Sequence, residues 1–332
     1  MTNNSLLPLL TGRDHSGASR SRIETMTQEM GTGRVADVGQ ALSSDFSALS
    51  QISHALRTTD ARAASLGNAA IWLDVMQGSM DRIEQAGTAI RDKLVAALTP
   101  TGYLSVDNLS VVAQGAMNDI VSALGRTHDG RGIFTNGDPG GRAPVDVDVL
   151  RAETQALAAG ATDIASLMTA FDDYFAQGGA FETNALRAFP ADPMQFPIGE
   201  GKSIGIPVSA GDESVREALK EAALVAALPD LGFPVGGMEL AELTTILPAR
   251  AAAASTKLAT SRAVIGTVEE RVDHIRKDLD QERTKLETRR SDTISADPYD
   301  TATRLQNEMT RLETLYAITA RKSRLRLTDY LR

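Results

Sequence analysis

The sequence predicts a mainly α protein: N- and C-terminal helical arms packed together as a coiled-coil rod, with a smaller mixed α+β middle domain inserted between them. Three observations predict it. Nine of the twelve prolines lie between Pro139 and Pro248, and none occurs from Leu9 to Thr99 or from Ala249 to Asp297. Proline removes an amide donor and clashes inside a helix, so the two proline-free stretches can be long helices and the middle cannot. Both stretches carry apolar residues at spacings of three, four and seven, the stripe of a helical seam. The chain holds one tryptophan, five tyrosines and eight phenylalanines in 332 residues, and seven of those phenylalanines fall between Phe134 and Phe233. The arms must therefore pack through aliphatic side chains, which suits helix–helix seams.

The expected division is an N-terminal export and assembly segment over 1–40, an N-terminal arm over 41–130, a middle α+β domain over 131–239, and over 240–332 a C-terminal arm with a terminal assembly helix. In the first arm, Leu66, Leu73, Met76, Met80, Ile83, Gly87, Ile90 and Leu94 form one stripe. A helix over 41–98 would extend about 87 Å at 1.5 Å per residue. A second helix is expected from Asp107, with Leu109, Val112, Met117, Ile120, Val121 and Leu124 on its apolar side and Gly125 ending it.

In the middle, 150–175 reads as helix. Met194, Phe196 and Ile198 alternate, as do Ile204, Ile206 and Val208, with Gly199 to Gly201 as the turn of a hairpin. A short amphipathic helix follows over 211–228. The last arm carries Ile265, Val268, Val272, Ile275, Leu279 and Leu286 on its seam, flanked from Glu269 to Arg290 by seven acidic and seven basic residues. Such mixed charge belongs on the solvated flank of a helix. Asp297 and Pro298 read as the cap and first turn of a final helix, with Leu305, Met309, Leu312, Tyr316 and Thr319 on one stripe. A narrow stripe needs a partner to bury it, and packing the two arms on each other is the economical solution.

Composition narrows the function. A net charge of −9 opposes binding to nucleic acid or anionic membranes. The absence of cysteine excludes disulfides, thiolate metal sites and cysteine nucleophiles. No stretch approaches 18 uninterrupted apolar residues, and the short patch Leu6 to Leu10, broken by Pro8, is neither a cleaved signal nor a span. Gly201-Lys202-Ser203 has the end of a phosphate-binding loop, but Phe196 stands where that loop needs glycine, so a hairpin turn is the reading. The glycine-rich run at Gly137 to Gly141 reads as a loop. His15, His54, His128 and His274 lack zinc-site spacing and are expected to be solvated. Asp146 and Asp148 lack the rest of a calcium loop. No enzyme, cofactor or metal is expected, and the protein is expected to be structural.

Several motifs carry a family resemblance. Met30-Gly31-Thr32-Gly33-Arg34-Val35 resembles the Leu-Ser-Thr-Gly-Lys-Arg-Val signature of the flagellin superfamily, with Asp37 where the family has an Asp-rich loop. Residues 66–86 are similar to its conserved coiled-coil segment. Gly132-Ile133-Phe134-Thr135-Asn136-Gly137 looks like Gly-Tyr-Leu-Phe-Ser-Gly at the exit from the arm. Arg262 to Gly266 resembles the entry to the C-terminal arm, and Asp292 to Asp300 stands at its helix-breaking turn. Glu308, Leu312, Glu313 and Tyr316 are like its Leu-Glu-Ala-Ser repeat. Leu327-Thr328-Asp329-Tyr330-Leu331 is similar to the Ser-Leu-Leu-Asp-Tyr-Leu ending of the hook-associated protein 3 (FlgL-type) family.

The resemblance covers roughly 1–137 and 240–332. It implies a non-enzymatic component of the bacterial flagellum, exported unfolded by the flagellar type III apparatus with its N-terminal segment unprocessed. It further implies a junction ring between hook-associated protein 1 and the flagellin filament, with a flagellar export chaperone as a further partner. Leu305, Met309, Leu312, Tyr316, Leu327, Tyr330 and Leu331 would make the terminal assembly helix. Terminal segments disordered in the monomer would fold against neighbouring subunits. The alternatives are a flagellin filament subunit and a coiled-coil component of a non-flagellar assembly. A nucleotide-binding enzyme built on Lys202 and Ser203 is the reading from another class.

Overall fold

The computed structural model describes residues 7–43, 45–97, 106–199, 201–234 and 237–330, with 7–14, 97 and 322–330 described by backbone alone. The elements are α1 (Leu7–Thr32), α2 (Val38–Ala41), α3 (Ser47–Ala97), α4 (Val106–Leu124), β1 (Thr127–His128), β2 (Arg131–Gly132), α5 (Val147–Gly160) and α6 (Ile164–Phe175). They continue with β3 (Gln195–Gly199), β4 (Lys202–Gly205), α7 (Glu213–Ala226), α8 (Gly237–Thr293) and α9 (Pro298–Tyr330). The fold is mainly α, with long helices toward both ends and two small antiparallel sheets between them.

The chain forms two compact units. One is residues 61–279; the other combines 1–60 with 280–332. These boundaries differ from the division read in the sequence. The apolar stripe of α3 is fully buried, and it belongs to the same core as the middle of the chain. Leu66, Leu73, Met76, Met80, Ile83, Ile90 and Leu94 share one cluster with Phe134, Phe171, Phe181, Leu219, Ile265 and Val272. The middle residues thus cover the seam, in company with α8, and do not build a separate core. The charge divides too. The 61–279 unit has 18 basic and 28 acidic residues, and the other has 16 and 15.

Within the 61–279 unit the turns follow local chemistry. Asp129 and Gly130 both take positive φ, 49° and 71°, and close the β1–β2 hairpin as an Asp-Gly turn. The hairpin sets His128 edge-on against Trp72, with ring centroids 6.4 Å apart. This histidine is therefore half-buried, not solvated as expected, because the short loop after α4 folds back on α3. Ile133 and Phe134 are then fully buried, and Asn136 and Gly137 turn the chain with φ of 53° and 80°.

The stretch 150–175 is two helices, not one. Asp163 starts α6 with a capping box: its carboxylate accepts from Ser166 N at 2.7 Å, and the Ser166 hydroxyl accepts from Asp163 N at 3.1 Å. The β3–β4 pair is the expected hairpin, with Phe196 opposite Ile204 and both buried. Lys202 and Ser203 sit in its second strand, and the Ser203 hydroxyl donates to Gln195 at 2.6 Å.

Helix α8 departs from expectation: it begins at Gly237 and runs through Pro248. Leu243 and Leu247 before the proline and Ala254 and Leu258 after it are all buried, so packing overrides the local preference. Just beyond it, Arg250 donates to Glu221 Oε1 from Nε at 3.0 Å and to Asp172 Oδ1 from Nη2 at 2.7 Å. Lys220 shares Asp172 Oδ1 at 2.9 Å. Helices α6, α7 and α8 meet in this network. Burial pushes the Glu221 carboxyl up to about 7 despite the Arg250 guanidinium beside it. On α3, Glu84 pairs with Arg262 of α8, and Gln77 donates to the Arg262 carbonyl at 3.0 Å.

Because α3, the middle and α8 share one core, emptying its centre should weaken all of them together. Phe134→Ala should cost about 3–5 kcal/mol. Denaturant unfolding followed by Trp72 fluorescence and by far-ultraviolet circular dichroism should show both signals moving to lower midpoints. A Trp72 midpoint that stayed in place would mean that the middle packs separately from α3.

Candidate assembly interface

The two chain ends meet in the second unit, where α1 packs along α9. The junction beside them is built from backbone. Gly33, with φ of 66°, ends α1 by donating from its amide to the Glu29 carbonyl at 2.8 Å. Only glycine adopts this left-handed cap readily. The next residues then pair with the turn between α8 and α9: Val35 N donates to the Ile294 carbonyl and Ala296 N to the Gly33 carbonyl, each at 3.0 Å. The Glu29 carboxylate receives Ala36 N at 2.8 Å. Asp37 caps α2 by accepting from Gln40 N at 3.0 Å. Asp297 caps α9, accepting from Tyr299 N at 2.8 Å. The motif around Gly33 and the turn after Asp292, far apart in sequence, are one structural feature.

Beyond this junction, among the residues whose side chains are described, α1 and α9 are joined by a polar cluster. Glu308 is buried and receives Arg22 Nε at 3.0 Å. A hydrogen bond from Ser19, itself buried, together with the Arg22 charge holds the Glu308 carboxyl below its usual range. Arg20 donates to the Tyr316 hydroxyl from Nε at 2.8 Å. Elsewhere in the unit, Arg283 of α8 pairs with Asp60 of α3 at 3.4 Å.

The residues singled out from sequence fall into three groups. Leu66, Leu73, Met76, Met80, Ile83, Ile90, Leu94, Ile265, Val272 and Leu279 are buried within the 61–279 unit, and Val268 and Ile275 are half-buried there. Leu286 is half-buried in the other unit. On α9, the covered face runs through Thr301, Leu305, Glu308, Leu312 and Leu315. That face is one step around the helix from the stripe read in the sequence. Leu305 and Leu312 lie on both, but Met309 and Tyr316 are 49% and 42% exposed. The apolar pattern missed it because two of the buried residues on that face, Thr301 and Glu308, are polar. Side chains of Leu327 and Tyr330, and all of Leu331, lie outside the described residues.

Helices α1 and α9 are paired within one chain. The pair leaves Met30, Met309, Tyr316 and Ile318 about half-exposed.

Two predictions follow from the lock. The Glu308 carboxyl is depressed, so its contribution is present above the unfolded value of about 4.3 and is lost as pH falls through the folded one. Glu308→Gln should lower the melting temperature of the helix pair at pH 7, by an amount that shrinks as pH falls below about 4. The same destabilisation at every pH would remove the charge from the explanation. Leu312→Asp puts an unpaired charge against α1 and should melt the pair while Trp72 fluorescence stays native. Unchanged helicity would refute the pairing.

Comparison with known proteins returns three findings. Residues 249–331 match the model of Flagellin_C, the bacterial flagellin C-terminal helical region. No curated protein sequence matches the chain. Two solved structures are similar at 11% identity and a TM-score of 0.49: FlgL of Bacillus cereus, over 71% of this chain and 96% of that one, and a putative flagellar hook-associated protein of Vibrio parahaemolyticus, over 76% and 99%. The matched segment takes in most of α8, from just after Pro248, and all of α9, and over it the chain is similar to the flagellin C-terminal helical region.

Proposed function

We propose that this chain is a non-enzymatic structural subunit of the bacterial flagellum and forms the junction ring between hook-associated protein 1 and the flagellin filament. The observation that carries the reading is the pairing of α1 with α9, where α9 lies within the segment that matches the flagellin C-terminal region. In this reading the α1–α9 pair is the assembly element. Met309 and Tyr316 meet neighbouring copies, Leu305 and Leu312 hold α9 on α1, and Leu327, Tyr330 and Leu331 extend the contact. The seam residues of α3 and α8, from Leu66 to Leu94 and from Ile265 to Leu286, keep the rest of the subunit rigid during assembly. The chain is exported through the flagellar type III apparatus, where a dedicated chaperone keeps the ends from pairing early, and it works outside the cell.

A second reading is a flagellin filament subunit. The matched model is named for the flagellin C-terminal region, which favours it. The ending Leu327-Thr328-Asp329-Tyr330-Leu331 favours the junction protein.

Deletion of the gene in the source organism separates the readings under electron microscopy. Hooks without filaments, with flagellin shed into the medium, are the expected result. Intact filaments would overturn the junction role, and loss of flagellin itself would select the second reading. Truncation after Arg321 should give a folded subunit that is exported but does not support filaments; filaments on such cells would remove the assembly role of the tail.

A further inference from the structure

Helix α8 contains its own weak point. Pro248 has no amide hydrogen, so the Thr244 carbonyl lacks its usual helical donor. The hydroxyls of Thr244 and Thr245 both turn back to the Ala241 carbonyl, at 2.8 and 3.0 Å. Such back-bonding bends helices. Sharp changes of helix direction concentrate at prolines.

Two residues further on, the helix is tied down. Asp172 of α6 accepts from Arg250 Nη2 at 2.7 Å and Nη1 at 3.3 Å, while Glu221 of α7 accepts from Nε at 3.0 Å. Lys220 anchors Asp172 from α7 at 2.9 Å, and Lys257, further along α8, donates to Glu213 at 2.7 Å. Burial alone would raise the Asp172 carboxyl. The hydrogen bonds from Arg250 and Lys220 outweigh it and hold the group at about 2, so it stays ionised.

We infer that Pro248 is a hinge and the Arg250–Asp172–Glu221 cluster its latch. Residues 237–247 open and close as one segment, while α8 from Arg250 onward stays docked on α6 and α7. Burial does not predict this difference, since Leu243 and Leu247 on one side are as buried as Leu258 on the other. The hinge gives the connection from α7 into α8 a place to yield without disturbing the rest of the core. It stands independently of the flagellar assembly role proposed above.

Hydrogen exchange on the full chain, read by mass spectrometry over peptides on either side of Pro248, tests it. Amides of 240–247 should exchange at least tenfold faster than those of 252–258, with a step at the proline. Pro248→Ala restores the missing donor and should erase most of the step. Equal exchange on both sides, or a step that survives Pro248→Ala, would overturn the hinge; simple fraying from Gly237 would survive that substitution. Arg250→Met should move the step beyond residue 254. Asp172→Asn, which leaves Glu221 in place, should move it less far. Trp72 fluorescence confirms in each case that the core is intact. A step still fixed at Pro248 in both variants would overturn the latch.

Discussion

The buried stripe of α3 is the constraint on which the 61–279 unit depends. Seven of its side chains, from Leu66 to Leu94, lose all or nearly all contact with solvent. A helix of 51 residues cannot bury such a stripe on itself, so other parts of the chain must cover it. The aromatic middle and α8 do so together. That requirement explains why Phe134, Phe171 and Phe181 sit in the same core as the aliphatic seam. It explains also why a proline is held in helical geometry inside α8. The surrounding packing and the Arg250 clamp outweigh the missing hydrogen bond.

The other unit works by a different balance. Among its described side chains, Ser19, Arg22 and Glu308 join α1 to α9, with backbone pairing at the junction of Gly33, Val35, Ile294 and Ala296. Buried polar groups specify one register when all their partners are present. A mismatched register would strand the Glu308 carboxylate against α1 without its donors. The cluster gives the helix pair a definite register. It leaves Met309 and Tyr316 on the outside, available to other chains in the proposed assembly.

The long elements were legible in the sequence because proline distribution and apolar spacing both report them. The boundaries of α4 and the cap of α9 at Asp297 were readable for the same reason, as glycine, proline and aspartate act locally. What could not be read depends on contacts made across the chain. The covered face of α9 is marked by Thr301 and Glu308, residues that no apolar pattern would select. The sharing of one core by α3 and the middle leaves no periodic trace. Pro248 is a case where the local rule was correct as chemistry and was overruled by packing. The break before α6 was written in Asp163 and Ser166, but helix-like composition on both sides hid it.

The division of charge has a consequence for crowding. The 61–279 unit carries ten more acidic than basic groups, and the unit with both chain ends carries one more basic than acidic. Copies brought side by side through their balanced ends would therefore carry acidic bodies that repel one another. At physiological ionic strength that repulsion fades over a Debye length of about 8 Å. Such bodies act as mutual spacers: they resist lateral clumping, while the near-neutral ends can approach closely. The middle of the chain thus has two tasks at once: it carries most of the acidic excess and it covers α3.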